Sequence, residues 1–191
     1  AFSVEEARKI LLEARGQGLE IKLHADELGP SGGAELAAEL GATSADHLDH
    51  SSQKGIEAMA RKGVVGVLLP GVSFFLQARR PAPAREMIEA GMAVALATDF
   101  NPGSCPCENM AFILTLACLQ LGMTIEQALN AATINGAHAL GLGREVGSLE
   151  VGKKADLVLF DLNDYRALPY RFGVNHVWKV IKGGRVVYEK D

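Results

Sequence analysis

The sequence has few of the features that mark membrane, secreted or nucleic-acid-binding proteins. Its longest apolar runs, such as 64–69 and 110–119, fall well short of the roughly 20 residues that cross a bilayer. The first residues lack the basic and then apolar order of a leader peptide. A net charge of −4, with no lysine- or arginine-rich run, argues against nucleic acid and anionic membranes as partners.

Cysteine is also scarce. Three cysteines, an odd number, do not suggest a disulfide framework, so we expect a reducing, cytoplasmic compartment. Cys105 and Cys107 flank a proline and could bind a metal, but no second Cys or His pair lies beside them at the spacing of a zinc site. We therefore interpret the thiols as structural.

The first two thirds of the chain alternate strand signals with helical stretches. Strand-like segments occur at 19–24, 42–48, 64–69 and 92–98, and helical segments at 32–40, 52–61 and 83–90. This alternation predicts an α/β fold with a parallel sheet and right-handed crossovers. A complete eight-stranded barrel needs about 250 residues, so these four units predict half of such a barrel or part of an open sheet.

The pattern changes near residue 147. The segments 156–161, 176–181 and 185–188 are strand-like, and Gly183-Gly184 predicts a tight hairpin between the last two. We therefore expect two units, a βα unit over 1–146 and a small β element over 147–191. The chain begins without Met and at once forms an amphipathic pattern over 4–14, from which we expect a break inside a larger protein.

Three polar residues stand where strands are predicted to end: His24, His47 and Asp99. Ligands bind at the carboxyl ends of parallel strands in barrels and open sheets alike, so these side chains predict a shared polar site. Each also has a structural interpretation, because a strand-end His is often only hydrogen-bonded and Asp99 could cap the next helix. Ala95 and Ala97 share a face with Asp99 and leave room below its carboxylate.

Glu27 follows His24 by three residues, so its loop can fold the carboxylate back over the strand ends. Water that attacks near a metal must lose a proton and a leaving nitrogen must gain one, and a single carboxylate can perform both transfers. The alternative is a solvated loop residue. We expect Asp26 either to fix the loop or to support the site residues from behind, and His50, which lies past the strand end, to be either a loop residue or a support of the same kind.

Three segments carry a family resemblance: Lys22–Glu27 (KLHADE), Ala45–Leu48 (ADHL) and Ala97–Ser104 (ATDFNPGS). They resemble the imidazolonepropionases, a family of the amidohydrolase superfamily that acts in histidine degradation. The segments 130–137 and 147–156 also match, but they are shared widely across the superfamily. The resemblance covers nearly the whole chain.

The resemblance implies a distorted (β/α)8 barrel beside a small β-sandwich that is built from both ends of the chain. This sequence would then supply the C-terminal half of the barrel, its strands five to eight, over 1–146. Residues 147–191 would supply the C-terminal part of the sandwich.

The resemblance also implies roles for individual residues. His24 and Asp99 resemble two of the four ligands of one zinc or iron ion. Glu27 resembles the residue that contacts the substrate ring and shuttles protons, and His47 the one that polarises the carbonyl or orients water.

The substrate contacts are implied in the same way. Asn101, Gly103 and Ser104 match positions that contact the substrate. The implied reaction adds water to 4-imidazolone-5-propanoate and opens the ring to give N-formimidoyl-L-glutamate.

One departure from the family is decisive for the isolated chain. The His-x-His pair that the family places on its first barrel strand does not occur in this sequence, and the Arg and Tyr that bind the substrate carboxylate are expected upstream. We therefore expect that the N-terminal half is a necessary partner and that the fragment alone is inactive. The resemblance also allows a homodimer. Two rival hypotheses stay open: a ring-deaminating amidohydrolase, and a non-catalytic fragment that only associates with a partner.

Overall fold

A parallel sheet dominates the first half of the molecule. The computed structural model describes residues 2–190. Its first sheet has the order β1-β2-β3-β4 and consists of β1 (Lys22–Ala25), β2 (Ser44–His47), β3 (Val65–Leu68) and β4 (Val94–Leu96), with every pair parallel. The helices of this half are α1 (Val4–Gly16), α2 (Gly33–Leu40), α3 (Gln53–Lys62), α4 (Pro70–Phe75) and α5 (Ala84–Glu89). The predicted βα alternation is confirmed.

Both faces of this sheet are covered, by two different apolar clusters. Along the third strand segment, Val64 and Leu68 belong to the large cluster that includes the helices, whereas Val65, Val67 and Leu69 belong to a smaller cluster. Successive side chains of a strand point to opposite faces, so a strand buried on both sides has a continuous apolar sequence. This explains why 64–69 shows no polar alternation.

Helix boundaries follow the local signals in the sequence. The Ser52 hydroxyl accepts a hydrogen bond from the Gly55 amide and caps α3, and a capping box at Thr124 begins α7 (Ile125–Ala132). α2 and α3 end at Gly41 and Gly63, whose φ values of 57° and 69° suit glycine. The strand-end residues are thereby held between well-defined helices.

The second half adds helices and then a small antiparallel sheet. It contains α6 (Met110–Leu119), α7, α8 (Ile134–Ala139), β5 (Leu157–Phe160), α9 (Ala167–Tyr170), β6 (Val177–Lys182) and β7 (Arg185–Glu189). β6 pairs with both β5 and β7, and Gly183 and Gly184 form the predicted hairpin with φ values of 55° and 77°. None of the helices within residues 2–190 has the length and hydropathy that a membrane crossing requires.

One local prediction was wrong. Leu19 was expected at the start of the first strand, on the face that packs against helices, but it is 62% exposed because the strand begins only at Lys22, where pairing with β2 starts. The strand signal at 64–69 was right, since β3 ends at Leu68, and Pro70, which stops the strand, also begins the helix α4. Proline suits the first turn of a helix because its missing N–H has no partner there in any case.

Gly33 packs against the end of β1, and this contact gives a stability prediction. A Cβ at Gly33 would lie 2.8 Å from Ala25 Cβ and 2.9 Å from Ala25 Cα, which the backbone cannot easily relieve. We expect Gly33→Ala to lower the free energy of unfolding by about 1–3 kcal/mol. Urea unfolding measures this effect, with Gly29→Ala as the control because a Cβ there meets nothing within 4 Å. Equal effects of the two substitutions would contradict the packing argument.

Candidate active site

The ends of the parallel strands carry strained backbone. Asp26, His47, Leu48 and Asp99 have positive φ values of 51°, 75°, 66° and 51°. Such conformations are rare for residues other than glycine and cluster at functional sites. Here they turn the chain sharply after β1, β2 and β4, at the edge of the sheet where the sequence predicted a site.

Three predicted site residues meet at this edge. His47 Nε2 lies 2.9 Å from His24 Nδ1 and 3.7 Å from Glu27 Oε2. Each of the three side chains offers one donor atom such that all three atoms lie within 4.8 Å of one another. The loop after β1 therefore does fold Glu27 back over the strand ends. Because His47 is buried, Glu27 is partly exposed and His24 is exposed, the group opens toward solvent on the side of His24 and Glu27.

The contact between the two imidazoles restricts their protonation. A single hydrogen can occupy the line between His24 Nδ1 and His47 Nε2. If His24 Nδ1 carries it, a neutral His24 has a free lone pair on Nε2 that can bind a cation. If His47 Nε2 carries it, a neutral His24 has its other hydrogen on Nε2 and cannot bind one there. A metal on His24 Nε2 therefore selects the first arrangement.

Asp99 faces the same space as His24 but is not part of the tight group. Both line a cavity of about 850 Å³ on the inner side of the sheet, together with Ala95 and Ala97. Within residues 2–190, His24, Glu27 and His47 form the one group of three donors that lie so close together. The small alanine side chains leave open space below Asp99, as the sequence suggested.

Asn101 organises the loop that follows Asp99. Its Oδ1 accepts hydrogen bonds from the backbone amides of Gly103 and Ser104, both at 2.8 Å. Its Nδ2 donates to the Asp99 carbonyl at 2.8 Å and to Ser104 Oγ at 3.0 Å. The polar atoms of Asn101 thus hold the loop in one conformation and fix the backbone of Asp99.

Asp26 is the centre of the hydrogen bonding behind the site. Its carboxylate is 3% exposed and accepts from the Ser31 amide and hydroxyl, the Gly33 and Ala34 amides and the Ser51 hydroxyl, at 2.8–3.2 Å. It therefore joins the loop after β1 to the loop after β2 and caps the first turn of α2, whose own N-cap is a glycine. The loop-fixing role expected for Asp26 is confirmed.

The ionisation of Asp26 gives a pH prediction. Burial disfavours the charged form, but the hydrogen bonds from Ser31, Ala34 and Gly33 outweigh it and lower the pKa of the carboxyl. An unfolded Asp titrates near about 3.9. Asp26 therefore stabilises the fold fully above that pH, and this contribution is lost as the pH falls through the lower pKa of the folded state.

Urea unfolding of the wild type and Asp26→Asn at several pH values measures this contribution. We expect the difference in stability to be constant from about pH 7 to pH 5 and to shrink toward pH 3. A difference that instead grew on acidification would contradict the assignment.

Some contacts near the site were not anticipated from the sequence. Lys22 and Asp46 also line the cavity, and Lys22 Nζ donates to the Ala139 carbonyl of α8 at 3.0 Å. Asp49 is buried beside the site and accepts from Ser73 Oγ at 2.7 Å. Burial raises the pKa of Asp49, an effect that Ser73 and the nearby His47 oppose. Lys22 could have been found from its two-residue spacing from His24 on β1.

Comparison with known proteins shows the family to which this chain belongs. The profile described as the amidohydrolase family matches residues 1–187. The chain belongs to this family. Its curated relatives include the imidazolonepropionase of Geobacillus sp. (strain WCH70), 58% identical over 186 residues, which are 97% of this chain and 44% of that protein. The imidazolonepropionase of Bacillus cytotoxicus is 52% identical over 189 residues, 99% of this chain and 45% of that protein. This amidohydrolase chain thus spans a little under half the length of these relatives.

Solved structures support the fold of the chain as part of an amidohydrolase barrel. An adenosine deaminase from Xanthomonas campestris with bound zinc superimposes with a TM-score of 0.82 at 25% identity, over 97% of this chain and 49% of that one. A 5-methylcytosine deaminase from Klebsiella pneumoniae gives a TM-score of 0.81 at 23% identity, over 98% and 52%. The four parallel strands are therefore a partial barrel, as predicted, rather than an open sheet.

Proposed function

We propose that this chain carries the C-terminal half of an imidazolonepropionase, an enzyme that hydrolyses 4-imidazolone-5-propanoate to N-formimidoyl-L-glutamate in histidine degradation. The observation that carries the proposal is the meeting of His24, Glu27 and His47 at the strand ends, within 4.8 Å. The relatives that share 51–58% of its residues bear this name, which supports the same substrate.

The donor set fits a divalent metal. Imidazole nitrogen and carboxylate oxygen are ligands for both zinc and ferrous iron. We propose that His24, through Nε2, and Asp99 hold one such ion, since both face the same cavity. When bound, the ion would polarise the substrate carbonyl and lower the pKa of a water molecule.

The side chains of this chain would then manage the protons. In the reaction, a water oxygen bonds to the ring carbonyl carbon, the ring C–N bond breaks, and the released nitrogen takes up a proton. Glu27 would accept the proton that water loses and deliver it to that nitrogen, because it is partly exposed at the open side of the group. In the arrangement that a metal on His24 Nε2 selects, His47 Nε2 accepts from His24 Nδ1, so His47 would polarise the carbonyl oxygen or orient the water through its Nδ1–H.

The loop from Asn101 to Ser104 would contact the substrate. Hydrogen bonds within the loop already occupy the Asn101 side chain and the Gly103 and Ser104 amides. We propose that the loop approaches the substrate as a preformed surface, since a rigid contact loses little freedom on binding.

The proposal requires an N-terminal half. Within the described residues, β1 and β4 each pair with a neighbour on one side only, as strands five and eight of an interrupted barrel would. We propose that residues 1–146 complete a barrel with that half and that 147–191 complete a β-sandwich with it. We call this chain together with the N-terminal half of its relatives the assembled protein.

The test is to supply the assembled protein, and separately this chain alone, with zinc or iron and 4-imidazolone-5-propanoate. We expect N-formimidoyl-L-glutamate from the assembled protein, detected by mass spectrometry, and none from the chain alone. Turnover by the isolated chain would overturn the requirement for the second half. No turnover by the metal-loaded assembled protein would overturn the proposed reaction.

A ring-deaminating activity is the second candidate. One argument for it is the structural similarity to an adenosine deaminase with bound zinc, at 25% identity. A second is that Glu27 follows His24 by three residues, a spacing that resembles the His and Glu of cytosine and guanine deaminases. A panel of imidazolones and aminated heterocycles separates the two candidates, because only deamination releases ammonia. Ammonia release with no ring opening would favour this alternative.

A further inference from the structure

His50 holds the backbone of the residue that we propose as the proton shuttle. Its Nδ1 lies 2.9 Å from the Glu27 carbonyl oxygen, and its amide donates to the Asp26 carbonyl, also at 2.9 Å. A carbonyl can only accept, so Nδ1 must carry the hydrogen. His50, in the loop after β2, thus donates hydrogen bonds to two successive backbone carbonyls in the loop after β1.

The position of the Glu27 carboxylate depends on these two hydrogen bonds from His50. Its carboxylate lies 3.7 Å from His47 Nε2, which is beyond hydrogen-bond distance. Leu28 is almost fully exposed, and in the part of the chain that the structure describes no other side chain hydrogen-bonds to the backbone of residues 27–30. Where the carboxylate sits is therefore set largely by where the backbone at residue 27 is held.

We propose that His50 is a positioning residue, which acts on the reaction through the backbone of Glu27. This inference rests on the proposed function, because the proposed function is what makes Glu27, whose backbone His50 holds, the proton-transfer residue. A misplacement of about 1 Å in a reacting group can lower a rate about 100-fold. Loss of the hydrogen bond between His50 and the Glu27 carbonyl can therefore lower the rate of the reaction substantially.

The main test compares His50→Ala with His50→Asn in the assembled protein. Asn can place an amide N–H where Nδ1–H stands, because both nitrogens are bonded to Cγ. We expect His50→Ala to lower kcat roughly 10- to 100-fold with little change in KM or metal content. We expect His50→Asn to restore most of kcat. If both variants kept the wild-type kcat, or if both lost it equally, the proposal would be wrong.

The matched control is Ser73→Ala. It also removes a hydrogen bond that anchors the loop after β2, since Ser73 Oγ donates to Asp49, but it does not touch Glu27. We expect kcat of Ser73→Ala to stay close to the wild-type value. A loss equal to that of His50→Ala would show general loosening of the loop and would overturn the specific role.

A second readout does not depend on activity. Exchange of the amide hydrogens of Ser31 and of residue 50, which donate to the Asp26 carboxylate and the Asp26 carbonyl, is expected to accelerate in His50→Ala and to recover in His50→Asn, because the anchor on the neighbouring Glu27 carbonyl is lost and then replaced. Unchanged exchange in His50→Ala would overturn the role of His50. If the wild-type assembled protein opens no ring, the proposed function fails, while the exchange result still decides whether His50 holds this segment.

Discussion

Replacing Glu27 with Gln in the assembled protein is expected to lower kcat for ring opening by roughly 10²- to 10⁴-fold. Gln has nearly the same shape and can still form hydrogen bonds, but it cannot accept a proton from water and pass it to the leaving nitrogen. KM should change much less than kcat, because the contact with the substrate ring survives. Steady-state kinetics with metal analysis of the same samples measures these effects.

Glu108→Gln is the matched control for this prediction. It makes the same chemical change in the loop between β4 and α6, and Glu108 is exposed. We expect it to have nearly the wild-type kcat. A Glu27→Gln variant that also kept nearly the wild-type kcat, with its metal bound, would remove Glu27 from the proton transfer.

Replacing Asp26 with Ala should produce the largest loss of stability near the site. The substitution removes the acceptor of five hydrogen bonds and leaves the Gly33 and Ala34 amides unpaired in a buried position. Hydrogen bonds to a charged group contribute about 1.5–3 kcal/mol each, and these are not additive, so we expect a loss of about 3 kcal/mol or more. Urea unfolding of the assembled protein measures the change.

Ser51→Ala provides the comparison for Asp26→Ala. It removes only one of the five hydrogen bonds, at 3.1 Å, and should cost about 1.5 kcal/mol, the lower end of the range for a bond to a charged group. If Asp26→Ala cost no more than Ser51→Ala, the carboxylate would not be the centre that joins the two loops.

The elements of the fold could be predicted where local chemistry decides them. The Gly41 and Gly63 helix ends, the Ser52 cap and the Gly183-Gly184 hairpin are set by residues next to one another in the chain. Leu19 could not be placed in this way, because a strand begins where a partner strand lies and not where alternation begins. The partial barrel needed the family match and the solved structures, since four βα units alone also suit an open sheet.

The candidate site was only partly visible in the sequence. His24, His47 and Asp99 could be found because each follows a strand signal, and Glu27 because of its distance from His24. The contact between His24 and His47 could not be predicted, because it depends on the turns that positive φ values create after β1 and β2. The same holds for His50, whose partner lies 23 residues away.

The most direct test is a crystal structure of the assembled protein with zinc, using anomalous scattering to place the ion. We predict that His24 Nε2 and the Asp99 carboxylate lie about 2.0–2.2 Å from it. His24 Nδ1 should remain hydrogen-bonded to His47, and neither Glu27 nor His47 should be a ligand. An ion held by Glu27 and His47, with Asp99 out of reach, would contradict the account.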